Sequence, residues 1–259
     1  LYWFHCASLG EFEQGKPLME VLKAENIQIL ITFFSPSGYE IKKDEPLADI
    51  VFYLPLDTKL NAKVFIDLIQ PDKAFFIKYE IWPNYFTELK NQSIPIYMIS
   101  STFRENQIYF KPLGKWFLSH LKMVTYFFLQ DENSQSVLNQ HRLGNCLVTG
   151  DTRYDNVFQS SKSTKKDERL AQFTQDEFTI ILGSSWQEEE HLMAKVFAKF
   201  KADSRLIIVP HDVSESHIKH IQNLFFEFKP HLFSDESEIT SRVLIIDSIG
   251  VLKDSYQYD

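Results

Sequence analysis

The sequence predicts an α/β chain of two doubly wound domains, and three observations predict it. Short apolar runs rich in β-branched and aromatic residues alternate with longer amphipathic stretches, the signature of strand–helix–strand units around a parallel sheet. The alternation breaks once, in the polar stretch DNVFQSSKSTKKD from Asp155 to Asp167, and then restarts. A chain of 259 residues is long for one domain and comfortable for two, with enough length to bury a core in each. The expected division is a first domain of residues 1–157 and a second of residues 158–259.

The expected strands of the first domain are, in order, YWFHCA, IQILITFF, IVFYL, KAFFIK, IPIYMIS, VTYFFLQ and CLVTG. Between them lie helical stretches such as DTKLNAKVFIDLIQ and DENSQSVLNQHRLG, the latter opening on acidic and Asn/Ser residues and closing on Gly144. After the polar stretch come FTIILGSS, SRLIIVPH and RVLIIDS. Three strands are fewer than a doubly wound domain usually carries, so the second domain is expected to be truncated.

Composition narrows the function. The 27 basic and 35 acidic residues leave a net charge of -8, which excludes a duplex nucleic-acid binder that must displace counterions with a basic face. Cys6 and Cys146 are far apart and outside any C-x-x-C spacing, so a reducing compartment is expected, with neither a disulfide framework nor a zinc site. No apolar run reaches the ~20 residues of a membrane span. The chain opens on Leu1 inside a strand-like run, so it reads as a fragment, with an upstream anchor left open.

Ligands of open parallel sheets bind outside the carboxyl ends of the strands, so the strand-to-helix junctions are where chemistry is expected. In ASLGEFEQG, Ser8 is a cap, Gly10 permits a tight turn and Glu11 stands in the first helical turn, where a carboxylate is also a simple complement to the helix dipole. SPSGYE offers Ser35, Ser37 and Gly38 to an anion. In KYEIWPNYF, Glu80 lies beside Trp82 at the rim of the sheet, where desolvation shifts a carboxyl's pKa. GDTRYD supplies Arg153, suited to phosphate or carboxylate charge or to a surface ion pair.

The second domain adds Ser184 and Ser185, which follow a glycine after a strand and offer an anion site at a helix N-terminus without the Gly-Lys-Ser/Thr ending of a P-loop. Pro210 closes IIVP and His211 follows it, and the EEEH run reads as a solvated helix face rather than a metal cluster. No Asp-x-Asp pair is present, which favours chemistry without a metal or other cofactor.

The blocks HCASLGE, TFFSPSG, YLPLDT, YEIWPN, GDTRYD, GSSWQEEE, VPHDVSE and DSIGVL, in this order through nearly the whole chain, resemble those of the 3-deoxy-D-manno-octulosonic acid (Kdo) transferases, in wording similar to the Bacteroidetes form. The resemblance implies two Rossmann-like domains of the GT-B glycosyltransferase type, the first for the acceptor and the second for CMP-Kdo. It implies that Glu11 is the general base in Kdo transfer to a lipid A precursor with inversion. Glu80 and Arg153 match positions given transition-state stabilisation. It extends the donor site to Ser184, Ser185, Pro210, His211, Ile249, Gly250 and Val251, with the last three offering backbone contacts. Here His211 follows Pro210 without the family's intervening Arg, and DSIGVL lacks the Glu of the common Met-Gly-Glu-Leu block.

The implied partners are CMP-Kdo, the lipid A precursor and the cytoplasmic face of the inner membrane, with no nucleic acid and no protein partner. RENQIYFKPLGKWFLSHLKMVTYFF, which interleaves Arg104, Lys111, Lys115 and Lys122 with aromatics, is the candidate interfacial helix. Two other classes stay open: another nucleotide-sugar enzyme such as an epimerase, and a non-catalytic two-lobed binding protein.

Overall fold

The computed structural model describes residues 1–161, 167–174, 177–248 and 251–255. These divide into two compact units, Leu1–Asn156 and Val157–Asp259. The polar stretch expected as a linker is instead helical from Asp155 as far as Ser161. Residues 162–166 lie outside the described residues.

In the first unit the order is β1 (Tyr2–Cys6), α1 (Leu9–Ala24), β2 (Ile29–Phe33), α2 (Pro36–Lys42), β3 (Ile50–Tyr53), α3 (Lys59–Ile69), β4 (Lys73–Ile77) and α4 (Pro83–Asn91). It continues with β5 (Ile96–Ser101), α5 (Lys115–Leu121), β6 (Tyr126–Leu129), α6 (Glu132–Gln140) and β7 (Cys146–Val148), and α7 (Thr152–Ser161) begins in this unit and ends in the second. The seven strands are all parallel, in the order β3-β2-β1-β4-β5-β6-β7. Each expected strand of this domain is present, because strands buried on both faces read as continuous apolar runs.

The alternation of β1 explains the layers. Trp3 joins a core with Phe65 of α3, Tyr85 of α4 and Val137 of α6, whereas Phe4 and Cys6 join a core with Phe12 and Met19 of α1. The chain winds outward from β1 in one direction as far as β3, then returns to place β4 on the other side of β1. That reversal is the switch point at which the loops after β1 and β4 separate and open a crevice.

The second unit runs α8 (Glu168–Thr174), β8 (Thr179–Ser185), α9 (Gln187–Phe197), β9 (Arg205–Pro210), α10 (Glu215–Leu224), β10 (His231–Leu232), β11 (Val243–Ile245) and α11 (Leu252–Ser255). Its parallel sheet has the order β10-β11-β9-β8. Phe197, Ile218 and Ile221 cover one face and Leu170 and Phe173 the other. The two-residue β10 is too short to leave an apolar run in the sequence.

The expected interfacial helix is not one helix. It comprises two 3₁₀ turns, Ile108–Phe110 and Pro112–Gly114, followed by the seven-residue α5 and then β6. Pro112 breaks any longer helix, and Tyr109, Phe110 and Leu118 turn inward onto the core. Leu113, Trp116 and Ile108 remain exposed. Among the described residues no helix is long and apolar enough to cross a membrane.

Candidate active site

Two carboxylates meet at the switch point, Glu11 in the first turn of α1 after β1 and Glu80 in the loop after β4. Ser8 is the extended N-cap residue of α1, without a side-chain capping bond. Gly10 has open space where a side chain would begin. The Ala7 N–H donates to Glu11 Oε2, and the side chain is buried, with the residue only 6% exposed.

Burial pushes the Glu11 carboxyl up to about 7, and the like charge of Glu80 adds to it. The Ala7 N–H and the Lys78 ammonium pull the other way without cancelling the effect. A helix N-terminus alone would have lowered this pKa, so the environment suits proton uptake near neutrality.

Glu80 is likewise raised by burial, opposed by a hydrogen bond from Trp82 Nε1 at 3.2 Å and by Lys78. The indole is held by its neighbours. Its ring meets His5 edge-on with centroids 4.7 Å apart and meets Phe34 at 5.2 Å. His5 is fully buried in β1, 2.9 Å from the Thr32 hydroxyl through Nδ1, and burial drives its pKa down to about 3, so the ring is a neutral wedge.

Lys78 sits at φ +60° and Ser100 at φ +52°, both in the left-handed region. Each costs a non-glycine residue of order 1–2 kcal/mol. The strain lies at adjoining strand ends, after β4 and within β5, where the sheet meets the crevice.

Arg153 follows β7 in the first turn of α7. Its Nε and Nη2 both hold Asp151 Oδ2, at 2.9 and 2.6 Å. Burial would raise Asp151, but these bonds outweigh it and hold the carboxyl below its usual range. The loop is tied to the helix carrying Glu11 by Thr152 Oγ1, which donates to the Gln14 carbonyl at 2.7 Å. Arg153 and Lys78 line the same cavity of about 330 Å³.

The other expected residues divide. Ser35 caps α2, accepting from the Ser37 N–H at 3.2 Å with the two hydroxyls 2.7 Å apart. Gly38 is not an open anion nest. It is buried, and a Cβ there would stand 2.4 Å from Phe33 Cδ1, so glycine is required for the close approach of α2 to β2.

In the second unit Ser184 and Ser185 end β8 rather than follow it; Ser184 is exposed at φ +52°, but the Ser185 hydroxyl is committed to Glu190 Oε1 at 2.9 Å. Glu190 is fully buried and also meets His217 Nε2 at 3.1 Å, so the EEEH run is not wholly a solvated face. Its third position turns inward while Glu188 and Glu189 face solvent. Pro210 ends β9, and His211 stacks on Trp186 with centroids 4.4 Å apart, beside a cavity of about 460 Å³ lined by Trp186, Asp212 and His217. Val251 packs on the unit's core. Ile249 and Gly250 lie outside the described residues.

Sequence reasoning missed His5 and Lys78. A histidine inside an apolar strand looks structural, and a left-handed lysine leaves no pattern.

Two parallel doubly wound units, with a crevice at the β1–β4 switch point of the first, place the protein in the GT-B structural class. Solved structures agree on the fold. A UDP-GlcNAc 2-epimerase from Neisseria meningitidis aligns over 99% of this chain and 74% of its own with a TM-score of 0.69 at 17% identity. MurG of Acinetobacter baumannii aligns over 99% and 71% with a TM-score of 0.57 at 7% identity.

Residues 1–156 match the family described as 3-deoxy-D-manno-octulosonic-acid transferase (kdotransferase), and the chain belongs to that family. Among its relatives, the 3-deoxy-D-manno-octulosonic acid transferase of Aquifex aeolicus is 26% identical over 258 residues, covering 98% of this chain and 66% of the relative. That of Chlamydia trachomatis serovar D is 25% identical over 271 residues, covering 99% and 62%. The chain thus spans just under two thirds of the length of these relatives.

Proposed function

We propose that the chain is the larger part of an inverting glycosyltransferase that moves Kdo from CMP-Kdo to a hydroxyl of a lipid A precursor. Glu11 carries this reading. A buried carboxyl whose pKa is about 7, beside a second carboxyl at the switch point, is matched to general-base work at neutral pH.

In the proposed step the acceptor oxygen attacks the anomeric carbon of Kdo as its proton passes to Glu11. The bond from that carbon to the CMP phosphate oxygen breaks on the opposite face, and the electron pair leaves with CMP. Glu80 keeps Glu11 from ionising too early, and Arg153, fixed by Asp151, presents its remaining guanidinium edge to charge developing in the transition state. In the second unit, the stacked Trp186 and His211 offer an aromatic face to the nucleotide. Exposed Leu113 and Trp116 beside Lys111, Lys115 and Lys122 support contact with an anionic membrane surface, consistent with work at the cytoplasmic face of the inner membrane.

The test is incubation of the full-length protein with CMP-Kdo and a lipid A precursor, and separately with UDP-GlcNAc. A lipid product heavier by one or more Kdo residues, with CMP released in step, is the expected result. C2 epimerisation of UDP-GlcNAc with no transfer would reject the reading.

A further inference from the structure

The cavity of about 330 Å³ beside Glu80 is lined by Lys78, Arg104 and Arg153, by Gln107 and Gln130 and by other neutral residues, with no carboxylate in its wall. Among the described residues, neither Lys78 nor Arg104 has a carboxylate oxygen within ion-pair distance, as is also true of Lys59, Lys90 and Arg142 in the same unit, but Lys78 and Arg104 share one cavity wall. Two unpaired cations on one concave wall repel each other and gain from an anion that enters.

The donors are also arranged in advance. The Arg104 N–H donates to Gln107 Oε1 at 3.0 Å and the Gln107 N–H returns to the Arg104 carbonyl at 3.0 Å. That closes the loop after β5 and leaves the Gln107 Nε2 hydrogens for a ligand. Gln130 Nε2 bonds the carbonyl and hydroxyl of Ser100, each at 3.0 Å, fixing the opposite wall. The left-handed backbone of Lys78 and Ser100 on adjoining strands is the kind of stored strain found at ligand clamps.

The volume is at the small end of ligand sites, which run to ~300–1,000 Å³. It suits a single sugar-sized anion and not an acyl chain. Lys78 faces both this cavity and the carboxylates, since its charge is felt at Glu11 and at Glu80.

We propose that this cavity is an oxyanion-binding subsite in which Lys78 and Arg104, with Gln107 and Arg153, hold a carboxylate or phosphate borne by one of the two sugar substrates, placing that sugar beside Glu11. The proposal rests on the transferase reading for its substrates. Its chemistry has two sources, the carboxylate of Kdo or a phosphate on the acceptor sugar.

The experiment is calorimetric titration of the full-length protein with free Kdo and, separately, with glucosamine 1-phosphate, for wild type, Arg104→Ala and Arg104→Lys, with thermal unfolding to check folding. Arg104→Ala is expected to weaken one probe by roughly ten- to a hundredfold, the usual range for a lost charge-assisted hydrogen bond. Arg104→Lys should recover part of the loss. Loss confined to Kdo assigns the carboxylate, and loss confined to the sugar phosphate assigns the acceptor. A wild-type protein that binds neither probe, or a folded Arg104→Ala protein that binds both as wild type does, overturns the subsite. Because binding needs no turnover, a protein that binds a probe but transfers no Kdo defeats the transferase reading and leaves the subsite standing.

Discussion

Replacing Glu11 by Gln separates two accounts of this side chain by the sign of a stability change. In the folded protein the carboxyl keeps its proton up to about pH 7, against 4.5 for an ordinary glutamate. The folded state therefore binds more protons than the unfolded chain between these values. Its stability falls as pH rises through that window and stays reduced above it. At ~1.4 kcal/mol for each tenfold, the difference between 4.5 and about 7 amounts to roughly 3 kcal/mol of ionisation cost at pH 8. Gln carries no charge to desolvate, and its amide oxygen still accepts from the Ala7 N–H. Glu11→Gln should raise stability at pH 8 by about 2–3 kcal/mol, change little at pH 4, and lower the turnover of the full-length enzyme by at least ~10²-fold. A carboxylate that merely complemented the helix dipole would behave in the opposite sense, losing up to ~1 kcal/mol and keeping its turnover. The measurements are urea unfolding at pH 4 and pH 8 and steady-state transfer. A variant that is less stable at pH 8 and retains more than roughly a tenth of wild-type turnover would refute the base assignment.

Two further perturbations test neighbouring groups. If Glu11 is the base it must be ionised, so kcat/KM of the full-length wild type should rise with pH through about 7. Glu80→Gln removes the like charge that lifts Glu11, so this limb should move to lower pH, and an unmoved limb would show the two carboxylates to be uncoupled. Gly38→Ala places a methyl 2.4 Å from Phe33 Cδ1. It should cost about 1–3 kcal/mol in urea unfolding, and an unchanged midpoint would contradict the packing role.

The architecture was legible where burial is two-sided. YWFHCA, ILITF and KAFFI carry no polar alternation to misread, and the helices between them force parallel pairing. Glu11 and Glu80 were legible one at a time, as carboxylates at strand-to-helix junctions that the alternation marks, but that the two meet depends on a strand order that places β1 beside β4. Other features depend on angles and neighbours that a linear pattern does not hold. One step of about 100° around α9 separates solvated Glu189 from buried Glu190. Gly38 resembles an anion nest until the Phe33 ring is placed beside it. The segment from Arg104 to Lys122 has the composition of a surface helix, yet Pro112 divides it and the core claims Tyr109 and Phe110. Arg104 drew notice only as part of a membrane-facing stripe, because Lys78 and Gln130, which line the same cavity, follow different strands.

The arrangement of the crevice also bears on how such a protein diversifies. The carboxylates hang from the ends of β1 and β4, at the centre of a seven-stranded sheet and with packed helices on both sides. Arg104 and Gln107, in contrast, sit in the connection between β5 and α5, thirteen residues of turns from Thr102 to Gly114. Connections of this kind accept insertions and substitutions that central strands do not. On the proposed reading, proton transfer and substrate choice lie on separate pieces of chain. Rewriting that loop would then change the anion held in the cavity, while Glu11, Glu80, the Trp82 indole and the His5 imidazole stay as they are.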